Sequence, residues 1–392
     1  MLYAVINAFA GPPLSPSALV VQPGQNPQWA EFNAGPYDGS NDIGIAVGQD
    51  KNLWFTDAGG SIGKITTAGV ITKYPLTLNN VPLYIVPGPK QSLWFTEYLG
   101  YIGKVSLSGA ITEYLIPIPN ERTNGITIGP DRNIWFSEEQ PGAMQPQIGR
   151  MTPAGKFLTS FPVNGSGLLA KGPDGRVWAT EQNRSDLVAI TPAGQETHYG
   201  GLTEPAVDVA GGPDGNIWFT ENDYVGFMTT SGVVTEYSEP SSLGIDQLAF
   251  GADRTAYFTC ELSPYIGRIT RSGSTQFYKN PFGGQGLGVV SGPDRNIWFD
   301  EIGENIGVFI RLVMTVNPSS IAFTSVGQIQ TITVSEKHYG GGWTATSLNP
   351  AVATVTQDSS NTFTVTAAGS GSTSIDVADT VGNDFLVSVS VP

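Results

Sequence analysis

Apolar and polar positions alternate along this chain in short stretches, such as Ile111-Thr-Glu-Tyr114, Gly125-Ile-Thr-Ile128 and Thr362-Phe-Thr-Val-Thr366. Clusters such as Gly129-Pro-Asp-Arg132 and Thr152-Pro-Ala-Gly155 separate them. Period-two alternation bounded by turn residues predicts short, half-buried strands, and hence an all-β protein.

The strands come in a repeat. Asn52-Leu-Trp-Phe-Thr-Asp57 recurs as Ser92-Leu-Trp-Phe-Thr-Glu97, Asn133-Ile-Trp-Phe-Ser-Glu138 and Arg176-Val-Trp-Ala-Thr-Glu181. It continues as Asn216-Ile-Trp-Phe-Thr-Glu221 and Asn296-Ile-Trp-Phe-Asp-Glu301, with Thr255-Ala-Tyr-Phe-Thr-Cys260 as a degenerate copy. The aromatic positions 54, 94, 135, 178, 218, 257 and 298 give a period of 39 to 43 residues. That is the length of one four-stranded propeller blade, so seven copies predict a seven-bladed β-propeller. Within each copy an apolar strand enters a tight turn, which in four copies is Gly-Pro-Asp (from Gly129, Gly172, Gly212 and Gly292), where proline presets φ. The Trp-Phe strand returns, placing its aromatic ring against the neighbouring sheet. The seventh copy ends at Ile310 without an outer strand, whereas Gln28-Trp-Ala-Glu-Phe32 reads as one. Pairing of the two would close the ring and remove its last open edge.

From Val313 the pattern changes to alternating segments without the Trp-Phe signature: Thr331–Val334, Ala353–Thr356, Thr362–Thr366, Ser374–Val377 and Leu386–Val389. Short strands at this spacing predict a β-sandwich. Residues Ser347–Val355 and Ala367–Thr373 resemble bacterial immunoglobulin-like domains, which usually act as spacers or adhesion units. The division is an N-terminal segment (1–25), a propeller (26–312) and an immunoglobulin-like sandwich (313–392).

Composition narrows the partners. A net charge of −15 without any basic run argues against nucleic acid and anionic membranes. The single cysteine, Cys260, rules out a disulfide framework, and no apolar run reaches the length of a membrane span. Met1 to Ala10 is apolar and ends in Ala8-Phe9-Ala10, similar to a cleavage site but without a basic leader region. Residues 1–25 therefore read as an export remnant or as an intersubunit strand. Low lysine, abundant Ser and Thr and the terminal sandwich point to a secreted or cell-surface protein.

Topology places the candidate chemistry. The Trp-Phe strand climbs back towards the face where the inner strand began. Asp57, Glu97, Glu138, Glu181, Glu221 and Glu301 are therefore expected near one mouth of the channel, with Cys260 and Glu261 in the sixth copy. Asp42, Asn124, Asp208 and Asp246, which open inner strands, are expected to meet them. Carboxylates crowded at a mouth favour a divalent cation, magnesium or calcium, or raised pKa values, and Glu97, Glu138, Glu181, Glu221 and Glu301 are the candidate ligands. The same carboxylates also suit a structural task, accepting backbone hydrogen bonds in adjacent loops. Tyr98, Tyr101, Tyr224 and Tyr265 follow the Trp-Phe strands and offer apolar rings with polar tips to a ligand at that face. The loop Glu139–Gln147 is longer than its counterparts, as recognition loops on rigid scaffolds are.

Repeats such as Gly212-Pro-Asp-Gly-Asn-Ile-Trp-Phe-Thr-Glu221, followed by segments such as Ile266-Gly-Arg-Ile-Thr270, resemble the streptogramin B lyase (virginiamycin B lyase) family over residues 40–312. The resemblance implies a seven-bladed propeller. In active members it also implies a magnesium-assisted elimination that opens a cyclic depsipeptide, with histidine near the channel mouth moving the proton and carboxylates holding the metal. This chain departs from that pattern. Its only histidines are His198, in an outer-strand stretch, and His338, in the sandwich. Where histidine would precede Gly-Ile stands Asn124, and the corresponding slots hold Ile43, Leu83, Gly167, Val207, Asp246 and Leu287. Asparagine takes no proton near neutrality. The leading expectation is a non-catalytic binding propeller for a glycan, peptide or surface protein, with Asn124, Asp246 and the four tyrosines at its site. A magnesium-dependent carbon–oxygen lyase, or a hydrolase, in which a carboxylate such as Glu221 or Glu301 replaces histidine as base is the second reading. A self-assembling subunit of a surface layer or filament is the third.

Overall fold

The computed structural model describes residues 29–35, 44–78, 80–117, 122–139, 146–165, 167–181, 184–303, 305–310, 314–336, 342–379 and 384–392. Residues 1–25, Asp42, His338 and positions 140–145 of the long loop fall outside them. The chain divides at Phe309/Ile310 into two compact units.

The N-terminal unit contains seven four-stranded antiparallel sheets among the described residues. The second sheet is representative: Pro82–Gly88 pairs with Ser92–Glu97, that strand with Tyr101–Ser106, and that in turn with Ile111–Leu115. The first strands of successive sheets lie side by side in chain order, and the seventh, Gly286–Ser291, neighbours the first, Ile45–Val47. The seven first strands therefore form a closed ring.

Two devices join one sheet to the next. The first is the aromatic wedge. Trp54 packs with Ile85, Leu93 and Phe95 of the following sheet, and Trp94 with Ile126, Ile134 and Phe136 of the one after. Both indoles are fully buried. The second is a hydroxyl two residues later. Thr56 Oγ1 donates to Leu83 O at 2.8 Å, Thr96 Oγ1 to Asn124 O at 2.5 Å and Thr259 Oγ1 to Leu287 O at 2.5 Å. Each of these bonds crosses from the second strand of one sheet to the first strand of the next.

The ring closes with the N-terminal strand. Trp29–Asn33 pairs antiparallel with Asn305–Phe309, from Trp29 opposite Phe309 to Asn33 opposite Asn305, and Phe32 stacks on Trp298 at 5.8 Å. Gln28 lies outside the described residues. The outer strand of the third sheet is only Phe161–Pro162.

In the C-terminal unit two four-stranded sheets share one apolar core that includes Val316, Ile332, Val334, Phe363, Val365, Ile375, Val377 and Val387. All five segments read from the sequence are strands. Three further strands, Met314–Asn317, Ser320–Ala322 and Trp343–Ser347, were not legible. Each is at a sheet edge.

Candidate functional site

The ring of first strands lines a cavity of about 170 Å³. Ile85, Ile126, Leu169, Val209 and Leu248 contribute aliphatic wall, and polar side chains come from Tyr84, Asp208 and Gln247. Tyr84, Asp208 and Gln247 occupy equivalent positions. Each immediately precedes the residue paired with the second-strand phenylalanine, and each backbone N–H donates to the second-strand threonine Oγ1, at 3.2, 3.1 and 3.1 Å. The β-ladder thus fixes their Cα positions at the channel wall.

Asp208 is buried, and its carboxylate accepts the N–H groups of Val209 at 2.8 Å and Leu248 at 2.9 Å. Burial outweighs these bonds and pushes its pKa up to about 7. Burial raises Asp246 well above the ordinary carboxyl range, helped by the charges of Glu261 and Asp208. The Tyr84 hydroxyl is raised by burial and then by Asp246, Asp208, Asp300 and Glu261. Five ionisable groups therefore act on one another here. Chemically this set can accept hydrogen bonds from a ligand's hydroxyl or ammonium groups, and it can exchange protons near neutral pH.

The expected site residues divide. Asp246 is coupled by charge to Tyr84 and Asp208 but is not among the residues that line the cavity. Asn124 is half-buried in an irregular stretch of the strand Arg122–Ile128, where its carbonyl receives the Thr96 hydroxyl. Tyr101, Tyr224 and Tyr265 begin third strands and are half-buried. Tyr98 is exposed, with the Arg122 guanidinium 4.6 Å from its ring centre. The channel cavity is lined by none of these four tyrosines.

The five glutamates do not form a ring around the mouth. Each is almost completely buried and engages groups of its own sheet or the adjoining loops. Glu138 Oε2 accepts the Ser160 hydroxyl at 3.3 Å, and a methyl group on Gly149 of the third strand would stand 2.0 Å from Glu138 Oε1. Glu181 accepts the Asn164 N–H at 3.0 Å and stands 3.1 Å from His198 Nδ1 on the outer strand. Glu221 accepts the Glu204 N–H at 2.9 Å, and Glu301 the Asn280 amide at 2.8 Å. Glu97 lies beside Glu113 of the outer strand, and Asp57 forms an ion pair with Lys73 at 2.7 Å. Cys260 is buried in an apolar cluster, its thiol pushed up to about 12 chiefly by burial. Among the described residues, no three His, Cys, Asp or Glu side chains form a group that could hold a metal ion. The carboxylates that the resemblance assigns to magnesium do not fit that task.

The sequence reading missed Gln247 at the channel wall, and it missed Tyr84 and Asp300. Asp300 is buried where the other copies carry Thr or Ser, and it accepts the Gly288 N–H. Both were detectable as departures from the repeat: an aromatic ring in the slot of Gly44 and Gly125, and an acid in the slot of Thr56 and Thr96.

The chain matches the virginiamycin B lyase family over residues 26–168 and 143–379. It is similar to the solved virginiamycin B lyase of Staphylococcus aureus, with 28% identity and a TM-score of 0.64, covering 71% of this chain and 98% of that one. A streptogramin B lyase structure aligns likewise, with 28% identity and a TM-score of 0.65, covering 71% and 96% of the two chains. The extracellular domain of a hybrid two-component system from B. thetaiotaomicron shares the fold at 13% identity and a TM-score of 0.60, covering 94% of this chain and 58% of that one. No curated protein matches the chain. Among the described residues no helix is long and apolar enough to cross a membrane.

Proposed function

The chain belongs to the virginiamycin B lyase family, and from that premise we propose that it is a seven-bladed propeller with an immunoglobulin-like C-terminal domain that binds its ligand outside the cytoplasm. The ligand enters the channel, where Tyr84, Asp208, Asp246 and Gln247 receive its hydroxyl or amine groups. In this reading the family's histidine-based elimination is lost. One observation carries it: the channel group is made of carboxyl, phenol and amide side chains, while His198 is held by Glu181 on an outer strand. A catalytically inactive histidine-to-alanine variant of the Staphylococcus aureus enzyme has been solved with quinupristin, which supports reading the missing imidazoles as missing chemistry. A glycan or a peptide suits such a site, since both present the donors that carboxylates accept.

The test is incubation of the purified protein with quinupristin and magnesium, followed by chromatography and mass spectrometry. No linear product is expected. General acid–base groups contribute about two to four orders of magnitude each, so their loss leaves at most residual turnover. A second reading has one observation in its favour. The Asp208 pKa of about 7 suits a general base near neutrality. Linearisation that is abolished in Asp208→Asn or Asp246→Asn would establish a carboxylate-based lyase and overturn the binding reading.

A further inference from the structure

The acids that end the second strands share a geometry independent of the channel. Lys73, Glu113, His198, Glu236 and Glu31 are all outer-strand residues, and they pair in register with Gly63, Gly103, Val188, Gly226 and Gly307 of the third strands. The second-strand acid reaches each of them across that third strand. Asp57 meets an ammonium group there and Glu181 an imidazole. In the second, fifth and seventh sheets the partner is another acid: Glu113, Glu236 and Glu31. Glu221 stands within hydrogen-bonding reach of Glu236, and Glu301 within reach of Glu31.

Two carboxyl groups at that separation need a proton or a cation between them. We propose that the second-strand acids are latches that tie each outer strand to its own sheet, and that the Glu221–Glu236 and Glu301–Glu31 latches are each closed by a shared proton instead of a metal ion. Three observations bear on the choice. No third ligand side chain completes a cation site among the described residues. Glu221 Oε1 and Glu301 Oε2 are buried without any other hydrogen-bond partner, which leaves each available to a carboxyl group opposite. The groups facing the pairs are acidic or neutral: Glu204 and Glu236 face Glu221, while Glu31, Asp300 and Asn280 face Glu301.

Burial and the second acid push Glu221 up to about 8 and Glu301 up to about 9. The folded protein therefore holds protons that the unfolded chain, with carboxyls near the ordinary 4.5, has released. The contribution of the latches to stability is complete below about pH 4.5 and is lost as pH rises through about 8 to 9.

The experiment is thermal unfolding of the full chain between about pH 5 and pH 9, in chelator and in magnesium or calcium, for wild type, Glu221→Gln and Glu236→Gln. An amide donates to the remaining carboxylate without needing a proton. Either variant is expected to flatten the alkaline fall in Tm and to exceed wild type by several degrees at the alkaline end. The chelator and metal curves should coincide. Glu236→Gln, at the more exposed end of the latch, reads the same pair if Glu221→Gln does not fold. A Tm that rises with the metal in wild type but not in the glutamine variants would replace the proton with a cation. Glutamine variants as steep as wild type at alkaline pH would show that no proton is shared.

Discussion

The second sheet lacks a hydrogen bond that every other sheet makes, and restoring it should stabilise the protein. An aspartate in the turn accepts the indole N–H of Trp54, Trp135, Trp178, Trp218 and Trp298, at 2.9 to 3.2 Å, and in the sixth sheet it accepts the Tyr257 hydroxyl at 3.0 Å. The second sheet has Lys90 in that slot. Trp94 is fully buried, and its Nε1 has no acceptor. The substitution to make is Lys90→Asp. Lys90 has a φ of 61°, and aspartate tolerates the left-handed region better than most residues. A buried donor left unmatched costs about 1–3 kcal/mol, and a bond to a carboxylate is worth about 1.5–3 kcal/mol. Part of that is spent reshaping a turn in which both Lys90 and Gln91 have positive φ, whereas in the third sheet only Arg132 does. A net gain of about 1–2 kcal/mol should raise Tm by about 2–3 °C in a unit of this size. The assay is a double-mutant cycle with Trp94→Phe, which removes the N–H, followed by chemical denaturation. The tryptophan replacement should cost about 1–2 kcal/mol more in the Lys90→Asp background than in wild type. A coupling indistinguishable from zero, or a lower Tm in Lys90→Asp, would refute the reasoning.

Two further expectations follow from the same packing. Gly149→Ala would place a methyl group 2.0 Å from Glu138 Oε1 and 2.3 Å from the Phe136 ring, so chemical denaturation should show a loss of about 1–3 kcal/mol or more. Trp29 is 4% exposed and packs on Phe309 at 5.1 Å, so Trp29→Ala should cost about 3–5 kcal/mol. That variant should also self-associate in light scattering, because loosening the closing strand exposes the edge of Asn305–Phe309. A loss below about 1 kcal/mol would show that this strand does not hold the ring shut.

The fold was legible wherever one packing problem recurs. Each sheet must fill the wedge to its neighbour, so an aromatic ring returns every 39 to 43 residues and announces the unit. Ring closure was legible as a missing strand at one end and a surplus one at the other. Of the four edge strands in the C-terminal unit, Ala353–Gln357 was read and three were not: Met314–Asn317 and Ser320–Ala322 are too short to announce a period, and Trp343–Ser347 buries little. Trp343–Ser347 shows only half-buried and exposed positions. The acids were placed at the correct strand end, but their direction was misread. Direction depends on the third strand, where glycine leaves room for a carboxylate to lean outwards, and no property of Glu138 itself reveals that Gly149 lies beneath it. Tyr84 was overlooked because a tyrosine in an apolar strand reads as core.

Comparing the copies within this one chain separates scaffold from recognition. Positions that every sheet needs for the same physical reason should repeat, while positions that face the channel are released from that constraint. The wedge ring and the phenylalanine after it recur with few exceptions. An acid ends the second strand in six of the seven copies, with Cys260 as the departure. The slot at the channel wall behaves differently, running Gly44, Tyr84, Gly125, Leu168, Asp208, Gln247 and Gly288. In every sheet of the ring but the third its backbone N–H performs the same task, donating to the second-strand hydroxyl or, in the seventh sheet, to Asp300. Its side chain is free to vary, and it does. By that criterion the glutamates belong to the scaffold, in agreement with the outward lean of their carboxylates, and Tyr84, Asp208 and Gln247 belong to whatever the channel receives. Substitutions in the first group should therefore be read out as stability. Substitutions in the second group should alter what binds, and only Asp208, whose carboxylate accepts the Val209 and Leu248 N–H groups, should also register in unfolding.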